Sequence, residues 1–432
     1  MSGEPRVPLF DMAMSLANAI DLVSPALANH HNRVAYIASS VASELGLPME
    51  EQRDLMLAGA LHDVGALSLK DRLEAMTFEC SWDGICQHGY LSCALLQAFG
   101  PFAAVAPLTR HHHTPWNGHE DPSLSRDEDV PMGSHILHLA DRVAVLVDER
   151  RGITEQAGEI VERVRSQSGK RFCPQLVEAF LGLSATDSFW PELTSPSLSS
   201  VLGRRFRSAT VELDLEGILS LARLFGQIID FRSRFTATHS CGVAAIAEAL
   251  AGIVGFSERE RGLIKAAGYL HDLGKLAVPP SILEKPGKLT DSEFSIMKNH
   301  AYHTFRVLQP VDALHAVAEW ASFHHERLDG SGYPFHRRGR SLPLGSRIIA
   351  VADVFAALTE SRPYRTEVPN DEALRLLRRL ARDGALDSNV VALLLLHYRD
   401  LSSVRREAEL AAARAYQEFS LKSAAGMDVR AA

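Results

Sequence analysis

Two nine-residue stretches of this chain are near copies. GALHDVGAL runs from Gly59 to Leu67, and GYLHDLGKL from Gly268 to Leu276. Each carries an adjacent His-Asp pair, His62-Asp63 and His271-Asp272, 209 positions apart. With the same offset, His30 in NHHNRVA falls on His239 in THSCGVA, each 32 residues before its His-Asp pair. Past the pair the offset becomes 212: His88 matches His300, His112-His113 match His324-His325, and Asp141 in HLADRV matches Asp353 in AVADVF. In both halves, 24 residues separate the third histidine from the fourth, and 29 separate the fourth from the last aspartate. A repeat that keeps its order and spacing over this length asks for two related folded units.

The segments around these residues read as helices. Leu221, Leu224, Phe225, Ile228 and Ile229 share one helical face, as do Leu263, Ile264, Ala267 and Leu270. No long alternating pattern suggests a sheet, and the breakers PGKLTD, DGSGYP and RPYRTEVPND fall between helical runs. The expected class is all-α. The expected division is a first unit over 1–190, a Ser/Pro-rich linker over 191–210, a second unit over 211–402, and a terminal helix and tail over 403–432. With 432 residues, 46% hydrophobic, the chain can bury two cores.

Nineteen histidines are many for a helical protein, and ten of them are the repeated ones. A lone histidine on an apolar helix is more often a hydrogen-bonded core residue than a ligand. An ordered set found twice reverses that expectation. Imidazole and carboxylate together suit iron, manganese, zinc or a similar divalent ion. Five histidines and two aspartates exceed the needs of one four-coordinate ion, so two ions are expected in the second unit. Two ions ~3.5–4 Å apart can clamp a phosphate and make hydroxide available near neutral pH. Lys275, four residues after His271, is placed to hold a phosphate oxygen or assist a leaving group. The five cysteines form no paired zinc-type spacing and read as reduced thiols.

The second half resembles the HD-GYP branch of the HD phosphohydrolases over about residues 220 to 400. The pieces that carry the likeness are His239, HDLGK at 271–275, His300, HHERLDGSGYP at 324–334, Ala352-Asp353 and RPYR at 362–365. The resemblance implies tandem HD-type helical bundles, the second an HD-GYP domain with an iron or manganese centre. It implies that His239, His271, Asp272 and Asp353 hold one ion and that Asp272, His300, His324 and His325 hold the other. It further implies Lys275 at the scissile phosphate, and Asp329, Gly332, Tyr333, Arg362 and Arg365 around the substrate. The activity implied is hydrolysis of cyclic di-GMP to pGpG or GMP, with water attacking phosphorus as hydroxide and the 3′ oxygen leaving. Hydrolysis of 3′,3′-cyclic GMP-AMP and a nucleotide-sensing adaptor without turnover are the alternatives.

The likeness has gaps. Phe235 stands where a three-ion subgroup has Glu, which keeps the expectation at two ions, and Ala301 follows His300 in place of Pro. The first half resembles a plain HD domain. Its candidate second metal set is His30, His62, Asp63, His88, His112, His113 and Asp141, but Ala66 replaces the lysine and HHTPWNGHE replaces the GYP loop. A regulatory or degenerate role is expected for it.

A net charge of −8 and a pI near 6.2 argue against a nucleic-acid polymer or a membrane surface as partner. No apolar run reaches the ~18 residues of a membrane span, and the N-terminus lacks a signal-peptide pattern. The expected location is the cytoplasm. A homodimer or a signalling protein remains open as a partner.

Overall fold

The computed structural model describes residues 5–22, 28–66, 82–117, 130–231, 238–360 and 370–428. The fold is all-α. Among the described residues the named strands are two short ones, β1 (Val7–Pro8) and β2 (Glu212–Leu213), which pair with each other. Among the described residues the chain divides into two compact units, one over 8–212 together with 419–428, and the other over 213–418 together with 5–7.

The N-terminal unit contains α1 (Leu9–Asp21), α2 (His30–Glu44), α3 (Met49–Leu61), α4 (Trp82–Leu96), α5 (Ala106–Arg110) and α6 (Met132–Leu146). They are followed by α7 (Ile153–Arg165), α8 (Pro174–Ser184), α9 (Phe189–Leu193) and α10 (Leu198–Phe206). Helix α2 is the central element, packed against α3, α6 and α8. All but its last two residues are buried. The stretch read as a linker, 191–210, holds α10. Leu198, Leu202 and Phe206 repeat at helical spacing and are buried in this unit, so the apolar period outweighs the Ser/Pro content.

The C-terminal unit contains α11 (Leu215–Phe231), α12 (His239–Val254), α13 (Glu258–Leu270), α14 (Pro280–Leu283), α15 (Asp291–Leu308), α16 (His315–Ser322) and α17 (Leu344–Thr359). Then come α18 (Asn370–Arg382), α19 (Ser388–Leu396) and α20 (Tyr398–Asp428). Helix α12 packs on α13 and α17 as α2 packs on α3 and α6. The terminal helix expected from residue 403 is helical and begins earlier, since residue 403 lies inside α20, where Leu401 and Arg405 are buried.

Local chemistry sets the helix ends that matter. Reciprocal capping boxes start α13 (Ser257 with Glu260) and α15 (Thr290 with Glu293). Helix α13 stops at its C-cap His271, and a 3-10 turn over Leu273–Ala277 follows. That turn needs Gly274: a Cβ there would sit 2.0 Å from the His300 carbonyl oxygen. Gly65 is the counterpart, with a Cβ 2.4 Å from the His88 carbonyl oxygen. The same hydroxyl clasp closes both turns. Thr304 Oγ1 donates to His271 O (3.1 Å) and accepts from Gly274 N (2.9 Å). Ser92 Oγ donates to His62 O (2.5 Å) and accepts from Gly65 N (2.9 Å).

Candidate metal centres

In the C-terminal unit the fold brings together all seven residues singled out as ligands. His239, His271 and Asp353 form one group, and His300, His324 and His325 another, each with its ligand atoms within 4.8 Å of one another. A third group of the same reach, His271, Asp272 and His324, joins them. His239 opens α12, His271 and Asp272 follow α13, His300 lies on α15, His324 and His325 follow α16, and Asp353 lies on α17. Close contacts within the cluster include His239 Nε2 to Asp353 Oδ1 (3.2 Å), His271 Nε2 to Asp272 Oδ2 (3.3 Å) and His300 Nε2 to Asp272 Oδ1 (3.5 Å).

The imidazoles are aimed by their own helices. Nδ1 of His271 lies 2.8 Å from Gly268 O, that of His300 2.7 Å from Met297 O, and that of His324 2.6 Å from Ala321 O. A carbonyl oxygen only accepts, so each Nδ1 carries the proton and each Nε2 presents a lone pair inward. His300 Nε2 and His324 Nε2 face each other at 3.4 Å, and buried His271 Nε2 has no hydrogen-bond partner among the described residues. Burial and the neighbouring His325 push the His300 pKa down to about 3, and burial with the same neighbour lowers that of His324. Asp272 is held well below the usual carboxylate range: burial opposes its charge, but His271 and Lys275 outweigh it. The neutral imidazoles of His300 and His324, with converging lone pairs beside an ionised carboxylate, fit a divalent cation better than a proton.

Around this cluster, Lys275 Nζ lies 2.5 Å from Asp272 Oδ2. The Tyr333 ring packs 4.8 Å from the His325 ring. Gly332 fits only without a side chain, since a Cβ would lie 2.5 Å from His325 O. Asp329 is exposed, and its carboxylate accepts from Ser331 N at 2.8 Å, which shapes the turn. Arg362, Arg365 and Phe235 lie outside the described residues.

Two carboxylates escaped the sequence reading. Glu360, next after α17, places Oε2 3.3 Å from His239 Nδ1. Glu326, buried, accepts from Phe335 N (2.6 Å) and Arg337 N (3.0 Å), which folds the GYP loop back on itself. Glu326 was visible as the acid directly after the histidine pair, where the first half has Thr114.

The N-terminal unit gathers its seven residues in the same way. Asp63, His88, His112 and His113 form one group, and His30, His62 and Asp63 another. Asp141 Oδ1 lies 3.4 Å from His30 Nε2. His62 and His112 again send Nδ1 to carbonyl oxygens three residues back, Gly59 O (2.8 Å) and Thr109 O (2.6 Å). The surroundings differ. Arg142 Nη2 lies 2.5 Å from Asp141 Oδ2 and places a fixed positive charge against the cluster, where the other unit has Val354. His31 stands where the other unit has Ser240, with its Nδ1 2.5 Å from Asp21 Oδ1. Ala66 offers no ammonium in place of Lys275.

Helical units whose adjacent His and Asp join histidines from several helices define a class, and comparison agrees. The chain belongs to the HD domain family, whose model matches residues 14–176 and 223–390, one stretch in each unit. It is 34% identical over 396 residues to the 3′3′-cGAMP-specific phosphodiesterase 1 of Vibrio cholerae, covering 90% of this chain and 91% of that protein. It is 37% identical over 221 residues to the cyclic di-GMP phosphodiesterase response regulator RpfG of Xanthomonas campestris, covering 49% of this chain and 56% of that one. The crystal structure of a cyclic GMP-AMP-specific phosphodiesterase of V. cholerae matches with a TM-score of 0.66 at 26% identity, over 92% of this chain and 98% of that one. No helix of the described residues is long and apolar enough to cross a membrane.

Proposed function

We propose that the C-terminal unit hydrolyses a phosphodiester bond of a cyclic dinucleotide, and that the N-terminal unit accompanies it without turnover. One observation carries the reading: two histidine groups converge on either side of Asp272, and Lys275 stands at that carboxylate. His239, His271, Asp272 and Asp353 would hold one divalent ion, iron or manganese, and Asp272, His300, His324 and His325 the other. Such ions, when bound, supply Lewis acidity and bring the pKa of water towards about 7. The chain's own part is positional. The carbonyl-bound imidazoles fix their lone pairs, Asp272 spans the groups, and Lys275 neutralises phosphate charge from the open side. Tyr333 and Gly332 shape the wall beside His325, and Arg362 and Arg365 are assigned to the second phosphate or a base by their resemblance alone.

The substrate to test first is 3′,3′-cGAMP. Support comes from the relative of that specificity, which aligns over about nine-tenths of both chains. Cyclic di-GMP, giving pGpG or GMP, is the second reading, supported by relatives that match about half of this chain. The experiment offers both nucleotides to protein purified without oxygen and supplied with Fe(II) or Mn(II). Wild type, Asp272→Ala and Asp63→Ala are compared for linear product. Product lost only in Asp272→Ala is expected. No product from either nucleotide with metal bound would replace the reading by a binding role in the same cytoplasmic signalling setting.

A further inference from the structure

The two clusters differ in where their fixed positive charge stands. In the C-terminal unit Lys275 sits at Asp272, and Val354 follows Asp353. In the N-terminal unit Ala66 takes the place of the lysine, and Arg142 follows Asp141. Arg142 is 1% exposed, and its Nε (3.1 Å) and Nη2 (2.5 Å) both donate to Asp141 Oδ2. A guanidinium is always charged in a protein, so the charge of Asp141 is met from within the chain. That of Asp63 is not. Its ion pairs among the described residues are all with histidines, and its buried Oδ1 has no hydrogen-bond partner among them.

Around Asp63 Oδ1 the donors converge. His88 Nε2 lies 3.0 Å from it and His112 Nε2 3.3 Å. His88 Nε2 is in turn 3.3 Å from His112 Nε2 and 2.9 Å from His113 Nε2. The corners of a tetrahedron whose centre is ~2.0–2.1 Å from each donor stand about 3.3 Å apart. The four residues thus come close to the spacing of one four-coordinate ion. The histidine pair is held from behind. His112 Nδ1 meets Thr109 O, and His113 Nδ1 lies 3.7 Å from Asp141 Oδ2. The backbone that follows has its own path, because Thr114 stands at the place of Glu326: Trp116 N donates to Arg171 O and Asn117 N to Lys170 O, both at 3.0 Å.

We propose that the N-terminal unit binds one divalent ion, on Asp63, His88, His112 and His113, and that Arg142 stands in electrostatically for a second ion at His30, His62 and Asp141. Three imidazoles and one carboxylate suit an ion content with four donors, zinc or cobalt(II) in kind. At His30, His62 and Asp141 an ion would face a buried guanidinium, and like charges repel strongly away from water. The two units would then differ in ion number although their ligands correspond one to one. The assignment concerns the other unit from the proposed hydrolysis and needs no turnover.

Cobalt(II) tests it in the full chain, because a four-coordinate cobalt(II) site absorbs visible light far more strongly than a six-coordinate one. The protein is stripped with a chelator, saturated with Co(II) and freed of excess, and bound metal is counted by elemental analysis. Asp63→Asn is expected to lose one ion per chain relative to wild type, and the intense band with it. Asp272→Asn keeps the band, whatever the C-terminal unit loses. His30→Ala keeps both the band and the count. Arg142→Gln, which retains an N–H towards Asp141 but not the charge, gains one ion. An unchanged count or a surviving band in Asp63→Asn overturns the proposal, as does loss of an ion in His30→Ala. So does a wild-type count in folded Arg142→Gln; should that variant not fold, His30→Ala decides whether the second set holds an ion.

Discussion

Glu360 and His239 form a buried pair, with Glu360 Oε2 3.3 Å from His239 Nδ1. Asp353 Oδ1 lies 3.2 Å from the other ring nitrogen, so one imidazole is held between two carboxylates. Burial disfavours charge on this ring, but the two carboxylates outweigh it and raise its pKa to about 10. A cation entering here therefore displaces a proton, and Glu360 keeps the ring oriented and basic. Glu360→Gln is expected to weaken metal binding about 10- to 100-fold. Competition with a chelator of known affinity measures this, and affinity within a factor of two of wild type would remove Glu360 from the role.

The two units should release metal in order. In the N-terminal unit Arg142 sits against Asp141, and His30 Nδ1, buried, has no hydrogen-bond partner among the described residues. The position equivalent to Glu360 is Asp148, which pairs with Arg150 at 2.9 Å. Chelator titration is expected to empty the N-terminal set first. Metal analysis of Asp63→Ala and Asp272→Ala assigns the steps; loss from the C-terminal set first would refute the ordering.

Asp230 gives a pH dependence with a definite sign. Burial pushes its pKa from 3.8 up to about 7, although Ser240 donates to it from Oγ (2.9 Å) and N (3.1 Å). The folded chain thus binds a proton that the unfolded chain has released between about pH 4 and 7. Its contribution to stability is complete below about pH 4 and is lost as pH rises towards 7. Asp230→Asn is expected to flatten that decline. Urea midpoints of both proteins from pH 4 to 8 test this, and parallel curves would show that the carboxyl does not titrate in this range.

Gly274 and Gly65 should tolerate no side chain. Gly274→Ala drives a Cβ against backbone atoms of α15, and Gly65→Ala drives one against α4. Each is expected to lower stability by about 2–3 kcal/mol, the upper range for overpacking a core. Hydrogen exchange should localise each loss to its own unit, and an unshifted urea midpoint would contradict the close approach.

Glu326→Ala should release the GYP loop, because two backbone N–H groups lose their acceptor. A loss of about 1–3 kcal/mol is expected. Trypsin cleavage after Arg337 should quicken while the helices stay protected; equal cleavage rates would show that the loop is held by other contacts.

The repeat was the most legible part of the site, because metal ligands constrain residue type and spacing together. It placed fourteen residues that the fold gathers into two clusters. Periodicity gave the helices. It was overlooked over 191–210, where serine and proline drew attention away from Leu198, Leu202 and Phe206. Glu360 and Arg142 were not legible, because their roles arise from contacts made across the fold. Arg142 looks like any helical arginine until its guanidinium is seen against Asp141. Thr114 was legible only as a mismatch; its consequence, a loop that takes another path, appeared with the backbone.

The bond from Nδ1 of His62, His112, His271, His300 and His324 to a carbonyl three residues earlier has an evolutionary consequence. It is made within one turn of backbone, so the aim of these ligands depends on their own helices and not on distant side chains. A duplicated unit can therefore shed its lysine and its loop, and with them its chemistry, while the ligand geometry persists. Chemistry and metal retention can drift apart, which leaves one copy free to acquire a new use while the other keeps the old one.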